Sequence, residues 1–208
     1  MEITWLGRTC FRLRGREGAV ITDPCPPESG YKTGKLSGDV VTISRVGDPD
    51  YGYRDSVPAE ARVLDAPGEF EVGGILVSGV AMKRPDGKRN VAFVFELDGI
   101  KVAHLGVPGP KPTSADLDGV KGVDILLLPV GGGGSVLAAA AQDIMTAVDP
   151  RIVIPMHYRT DQERLELDPL DSFLKETGAN PEPQARITVT KSQLPAELTV
   201  MVLQPRSG

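Results

Sequence analysis

Apolar positions in the first half of the chain come in short runs broken by turns. "ITWL" (3–6), "CFRLRG" (10–15) and "AVIT" (19–22), with the turn "REG" between the last two, predict a strand meander closed by "DPCPP". Further strands are expected at "DVVTI" (39–43), "ARVLD" (61–65), "GILVSGVAM" (74–82), "NVAFVFELDG" (90–99) and "IKVAHLG" (100–106). Asp98-Gly99, between the last two, is a strong two-residue hairpin signal. "KRPDGKRN" (83–90) reads as a solvated polar turn. The segment "GEFEVGG" (68–74), with Glu69 and Glu71 alternating, reads as a strand or tight turn of architectural weight.

From Val123 the pattern changes. "VDILLLPV" is a continuous apolar run of strand length, followed by four glycines and an alanine-rich stretch, "SVLAAAAQDIMTAV", with Ser135 at a helix N-cap position. "RIVIPM" predicts the next strand. "LDPLDSFLKETG" predicts a short amphipathic helix with Leu170, Phe173 and Leu174 on one face and Gly178 as its stop. "ARITVT" and "ELTVMVL" predict two last strands. Many strands with few helices imply two sheets packed face to face and covered by helices. With no internal repeat and no linker, the expectation is a single domain over 1–208.

Composition narrows the function classes. The 208 residues carry 23 Lys and Arg against 28 Asp and Glu, a net charge of −5, without a basic run. A nucleic-acid partner is therefore not expected. No segment has the roughly 18 apolar residues of a membrane span, and "MEITWLGRTCF" lacks the apolar core of a signal peptide, so the expected setting is cytoplasmic with no membrane partner. Cys10 and Cys25 are too few for a disulfide framework or a zinc pattern and read as buried or semi-buried thiols.

Candidate chemistry gathers at "SRVGDPDYGY" (44–53), where a core strand ends on an arginine and runs into a glycine-broken loop with two aspartates and a tyrosine. Taken with "TWLGRTCFRL", "ITDP", "APGEFEVGG", "VAHLGVPG", "PVGGGG" and "RIVIPMHY", its order and spacing resemble the metallo-β-lactamase superfamily, in particular the branch of small metal-dependent hydrolases similar to ascorbate-lactone hydrolases. The resemblance runs from about Ile3 to Leu203. It implies an α/β (α+β) fold, a four-layer αββα sandwich.

The resemblance also implies a metal loop of the form H-x-H-x-D-H, and this chain departs from it. Arg45 stands at the first histidine position and Gly47 or Asp48 at the second, Asp50 matches the aspartate, and Tyr51 takes the last histidine position. "HLGV" puts Val107 where a bridging carboxylate is expected, and Arg8 replaces a histidine of "WLGHS"; only His157 is intact. A catalytic zinc takes three protein ligands and a water, and arginine has no lone pair to offer.

The expectation is thus a pseudo-hydrolase with a degenerate metal site and a binding or regulatory role. It would use no cofactor and would take a small, anionic ligand in a pocket of Arg8, Arg45, Asp48, Asp50, Tyr51, His104 and His157. The arginines are expected to ion-pair with Asp48 or Asp50. The alternative is a hydrolase of lactones, esters or phosphoesters with one weakly bound Zn at Asp48, Asp50 and His157. His104 is expected as a hydrogen-bonded core or pocket-wall residue. The glycine run reads as a strand-to-helix turn, with an anion cradle as its alternative. A homo-oligomer is left open.

Overall fold

Alternation along the first strands decides the architecture. In β1 (Glu2–Gly7), β2 (Cys10–Arg14), β3 (Ala19–Thr22) and β4 (Val40–Thr42), Trp5, Phe11, Val20 and Val40 point into the main core. Their neighbours Leu6, Cys10, Ile21 and Val41 point to the other face, into a second small cluster with Cys25, Tyr31 and Leu36. The sheet is thus apolar on both faces and must be covered twice. The computed structural model, which describes residues 1–206, shows how this is done.

β1 to β4 join β5 (Arg62–Leu64) and β12 (Ile187–Thr188) in a six-stranded sheet of order β12-β1-β2-β3-β4-β5. A seven-stranded sheet, of order β13-β11-β10-β9-β8-β7-β6, faces it. Its strands are β6 (Gly68–Val72), β7 (Ile75–Lys83), β8 (Arg89–Leu97), β9 (Ile100–His104), β10 (Ile125–Pro129), β11 (Ile152–Met156) and β13 (Thr199–Val200). The meander β1-β2-β3 and the Asp98-Gly99 hairpin form as expected, with Leu97 paired to Ile100.

The helices α1 (Ser114–Leu117), α2 (Ala138–Val148) and α3 (Leu170–Thr177) cover the second sheet. Ala141, Ile144, Met145, Val148 and Phe173 are buried in the main core. These are the sheets and flanking layers of the αββα sandwich. On the outer face of the first sheet the cover is made by the chain between 24 and 61, which forms 3-10 turns rather than an α-helix.

Several local features differ from expectation, among them the predicted strand "ARITVT", which contracts to Ile187–Thr188. α2 starts at Ala138 with Leu137 in the cap position, and Ser135 is instead buried in the glycine turn. The final strand shrinks from "ELTVMVL" to Thr199–Val200. α1 was not foreseen; it is held by a Thr113–Asp116 capping box, a signal of only four residues. Among the described residues no helix is long and apolar enough to cross a membrane.

Candidate functional site

Two backbone positions build the site. Arg8 (φ 52°) follows β1, and His157 (φ 53°) follows β11; both adopt the left-handed region that non-glycine residues rarely use. The pair is pinned together: the Arg8 carbonyl accepts from the His157 N–H at 3.0 Å and from the Trp5 indole N–H at 3.1 Å. Residues from opposite sheets are thereby locked at one point.

Arg8 is 1% exposed. Its guanidinium donates to Asp50 Oδ1 at 2.8 Å, and to both carboxylate oxygens of Glu163, at 2.8 and 3.3 Å. Burial alone would lower its pKa, but the hydrogen bond and charge of Glu163, then Asp50, outweigh that and raise it. Arg45 pairs with Asp48 at 2.8 Å. Both guanidiniums lie against the Tyr51 ring, 5.8 Å (Arg8) and 5.2 Å (Arg45) from its centroid. The Asp48 carboxylate also accepts from the Asp50 N–H, setting the 3-10 turn Pro49–Tyr51 that presents Tyr51.

The Tyr51 hydroxyl lies 2.9 Å from His157 Nε2, and both residues are buried. Burial first, then the charges of Arg8, Arg45 and Arg84, push the His157 pKa down to about 3. Its imidazole is therefore neutral at physiological pH. Burial also raises the Tyr51 pKa, so the contact joins two neutral groups.

His104 sits one layer behind. Its Nε2 is 2.8 Å from the Thr9 carbonyl, which can only accept, so that nitrogen carries the hydrogen. Phe11 packs edge-on against the ring, and burial lowers its pKa. Asp23, 3.9 Å from His104, holds the end of β4 by accepting from the Ser44 N–H and hydroxyl, both at 2.6 Å. His104 is thus a core residue, while the other six expected site residues gather in one cluster.

Three residues escaped the sequence reading. Glu163 lies in a charge-rich stretch outside every motif considered above, and its side chain has no exposed surface. Arg84 belongs to the supposed wet turn, but it is 6% exposed and donates to the carbonyls of Val107 and Pro108. Buried Asn90 spans the turn after β9, donating to the Leu105 carbonyl at 2.8 Å and accepting from the Val107 N–H at 2.8 Å. Val107 itself is fully buried, and an apolar side chain there contributes about 1.5–3 kcal/mol, where a carboxylate would have to be desolvated.

Sterics account for the first glycine of the run. A Cβ at Gly131 would stand 2.4 Å from the His157 carbonyl oxygen and 2.6 Å from Tyr158 Cα. The N–H groups of Gly131, Gly132 and Ser135 are spent on backbone carbonyls. Gly131→Ala is therefore expected to cost about 3 kcal/mol in urea unfolding, because backbone must move. Gly47→Ala, whose Cβ would meet nothing within 4 Å, should cost about 1 kcal/mol through its positive φ alone. Equal losses would contradict the packing argument.

A family model described as "Beta-lactamase superfamily domain" matches residues 2–157. The chain belongs to this superfamily. A UPF0173 protein of Pyrococcus furiosus is 30% identical over 196 residues, covering 85% of this chain and 90% of that protein. A UPF0173 metal-dependent hydrolase of Methanoregula boonei is 29% identical, covering 77% and 83% of the two chains. A solved structure from Thermotoga maritima, with a proposed Zn-dependent hydrolase role in the metallo-beta-lactamase superfamily, is 33% identical. It superposes with a TM-score of 0.81, covering 98% of this chain and 99% of that one.

The Methanoregula and Thermotoga relatives overturn the expectation of a non-catalytic binding or regulatory pseudo-hydrolase, and with it that of a cofactor-free protein: the names these two carry are those of metal- or Zn-dependent hydrolases. The donor set of this chain does not follow them. Asp48 and Asp50 are engaged by Arg45 and Arg8, His157 Nε2 by Tyr51, and the described residues contain no group of three or more His, Cys, Asp or Glu able to hold a metal ion. The mononuclear Asp48–Asp50–His157 site expected as the alternative is not assembled, and the side chains present do not fit a catalytic metal.

Proposed function

We propose that the protein is a hydrolase acting on a small anionic lactone, ester or phosphoester at the Arg8–Arg45–Tyr51–His157 cluster. The hydrolase assignment is supported by the names of its relatives and the anionic substrate by the site. The observation that carries it is Arg45, whose side chain is 11% exposed and held by Asp48 and the Tyr51 face where the expected metal loop would run. A guanidinium fixed in this way presents a planar fork of donors to a carboxylate or phosphate. Arg8, tied to Glu163 and Asp50, holds the floor. Neutral His157 and Tyr51 share a hydrogen bond between Nε2 and the phenol oxygen; moving its proton onto the imidazole would create a buried charge pair, so the two act as neutral hydrogen-bonding groups beside the arginines. The cytoplasm is the compartment proposed, in keeping with two free buried thiols.

The test is a panel of lactones, carboxylic esters and phosphoesters in matched anionic and neutral forms, assayed with and without added divalent metal. Turnover of an anionic member is expected, with Arg45→Gln raising its KM about tenfold and sparing the neutral counterpart. Absence of turnover across the panel would overturn the reading, as would equal losses on both forms.

A further inference from the structure

Away from this cluster, the outer face of the first sheet carries a groove of about 800 Å³ whose lining has a charge pattern opposite to that of the whole chain. Its charged residues are Arg12, Arg14, Lys35, Arg186 and Arg206 against Glu2 alone, in a protein with 28 acids and 23 bases. The register explains the gathering. Glu2 pairs with Arg14 and Thr4 with Arg12 across β1 and β2, and since Ile3, Trp5, Phe11 and Leu13 face the core, these four face out. Arg186 leads into β12 on the far side of β1, and the segment 204–206 walls the groove, anchored by the Arg206 N–H on the Trp5 carbonyl.

Little within the fold neutralises these cations. Among the described residues only Arg186 of the five is ion-paired, to Glu2 at 3.1 Å. Arg12 spends its guanidinium on the carbonyl and hydroxyl of Ser37, and Lys35 donates to the Asp55 carbonyl; these contacts orient the groups without cancelling charge. The α-helical layer does not extend over this face, so the side chains remain open to a ligand. The neighbouring groove, which shares Arg12 and Arg14, mixes Arg16 and Arg62 with Glu17, Asp39 and Glu60, so the basic stretch ends there.

We infer that this groove binds an oligophosphate, a small ligand with several phosphate groups in a row. Four of the five cations are guanidiniums, which match phosphate oxygens in paired geometry. Arg12 and Arg14, two residues apart on one strand face, stand roughly 7 Å apart at their backbones, which suits separate anionic groups better than one. The volume falls in the ~300–1,000 Å³ range of small-molecule sites. No aromatic side chain lines it, so the stacking surface that single-stranded nucleic acid uses is missing.

Isothermal titration with inorganic tripolyphosphate, on the intact chain at low and at high salt, tests this independently of the hydrolase reading. Saturable binding that weakens with salt is expected. It should fall at least tenfold in the double variant Arg12→Glu, Arg14→Glu and also in Lys35→Glu, Arg206→Glu, which leaves the strands untouched, while Arg45→Gln binds as the parent does. Three results would each overturn the inference: no binding by the parent protein, binding lost in Arg45→Gln but kept in the groove variants, or retention of duplex DNA in preference to tripolyphosphate.

Discussion

Replacing Arg8 by methionine is expected to destabilise the fold by about 3–5 kcal/mol, the cost of leaving one member of a buried ion pair uncompensated. The side chain left behind is Glu163, which has no exposed surface and whose carboxylate is otherwise met, among the described residues, only by the Arg164 and Leu165 N–H groups at 2.9 Å. Those two bonds place the loss nearer the lower end. Asp50, 44% exposed, can turn to water and should add little. Urea unfolding of Arg8→Met, Glu163→Gln and the double variant closes the cycle. The double variant should recover much of the single loss, since the orphaned charge is gone. Strict additivity would mean that the two side chains are not coupled.

The second large effect is a pH dependence. The His157 pKa in the fold is pushed down to about 3, while an unfolded histidine titrates near 6.5. Between those values the unfolded chain binds a proton that the native state refuses. The contribution of His157 is therefore intact above about pH 6.5 and is lost progressively as pH falls toward 3, by about 1.4 kcal/mol per pH unit. Burial also lowers His104, adding loss of the same sign, whereas it raises Asp23, which acts in the opposite direction under acid conditions. Comparison with His157→Gln isolates the His157 part: the stability of the variant should decline less steeply between pH 6 and 4. Parallel curves for the two proteins would remove His157 as the source.

The superfamily, the two-sheet plan and most strands are legible in the sequence, because period-two burial and turn residues are local signals that tertiary contacts here reinforce. Arg8, Arg45, Asp48, Asp50, Tyr51 and His157, which the fold brings into one cluster, also stand on motifs readable in one dimension. What those motifs suggested about activity was misleading, since counting missing metal ligands speaks to one kind of chemistry and the relatives speak for hydrolysis.

The sequence alone determined that Arg45 and Tyr51 would leave β4 on a short loop and that His157 would directly follow β11. Folding decided which partner each charge meets. Glu163 lies 155 residues from Arg8, and nothing in "TDQERLELDP" distinguishes the one carboxylate that is sealed inside from those left in water. The basic groove is equally invisible along the chain, because Arg12, Arg14, Lys35, Arg186 and Arg206 become neighbours only through strand register and the return of the C-terminal segment. Electrostatic partnership depends on distance and burial in three dimensions, and neither quantity is carried by local sequence.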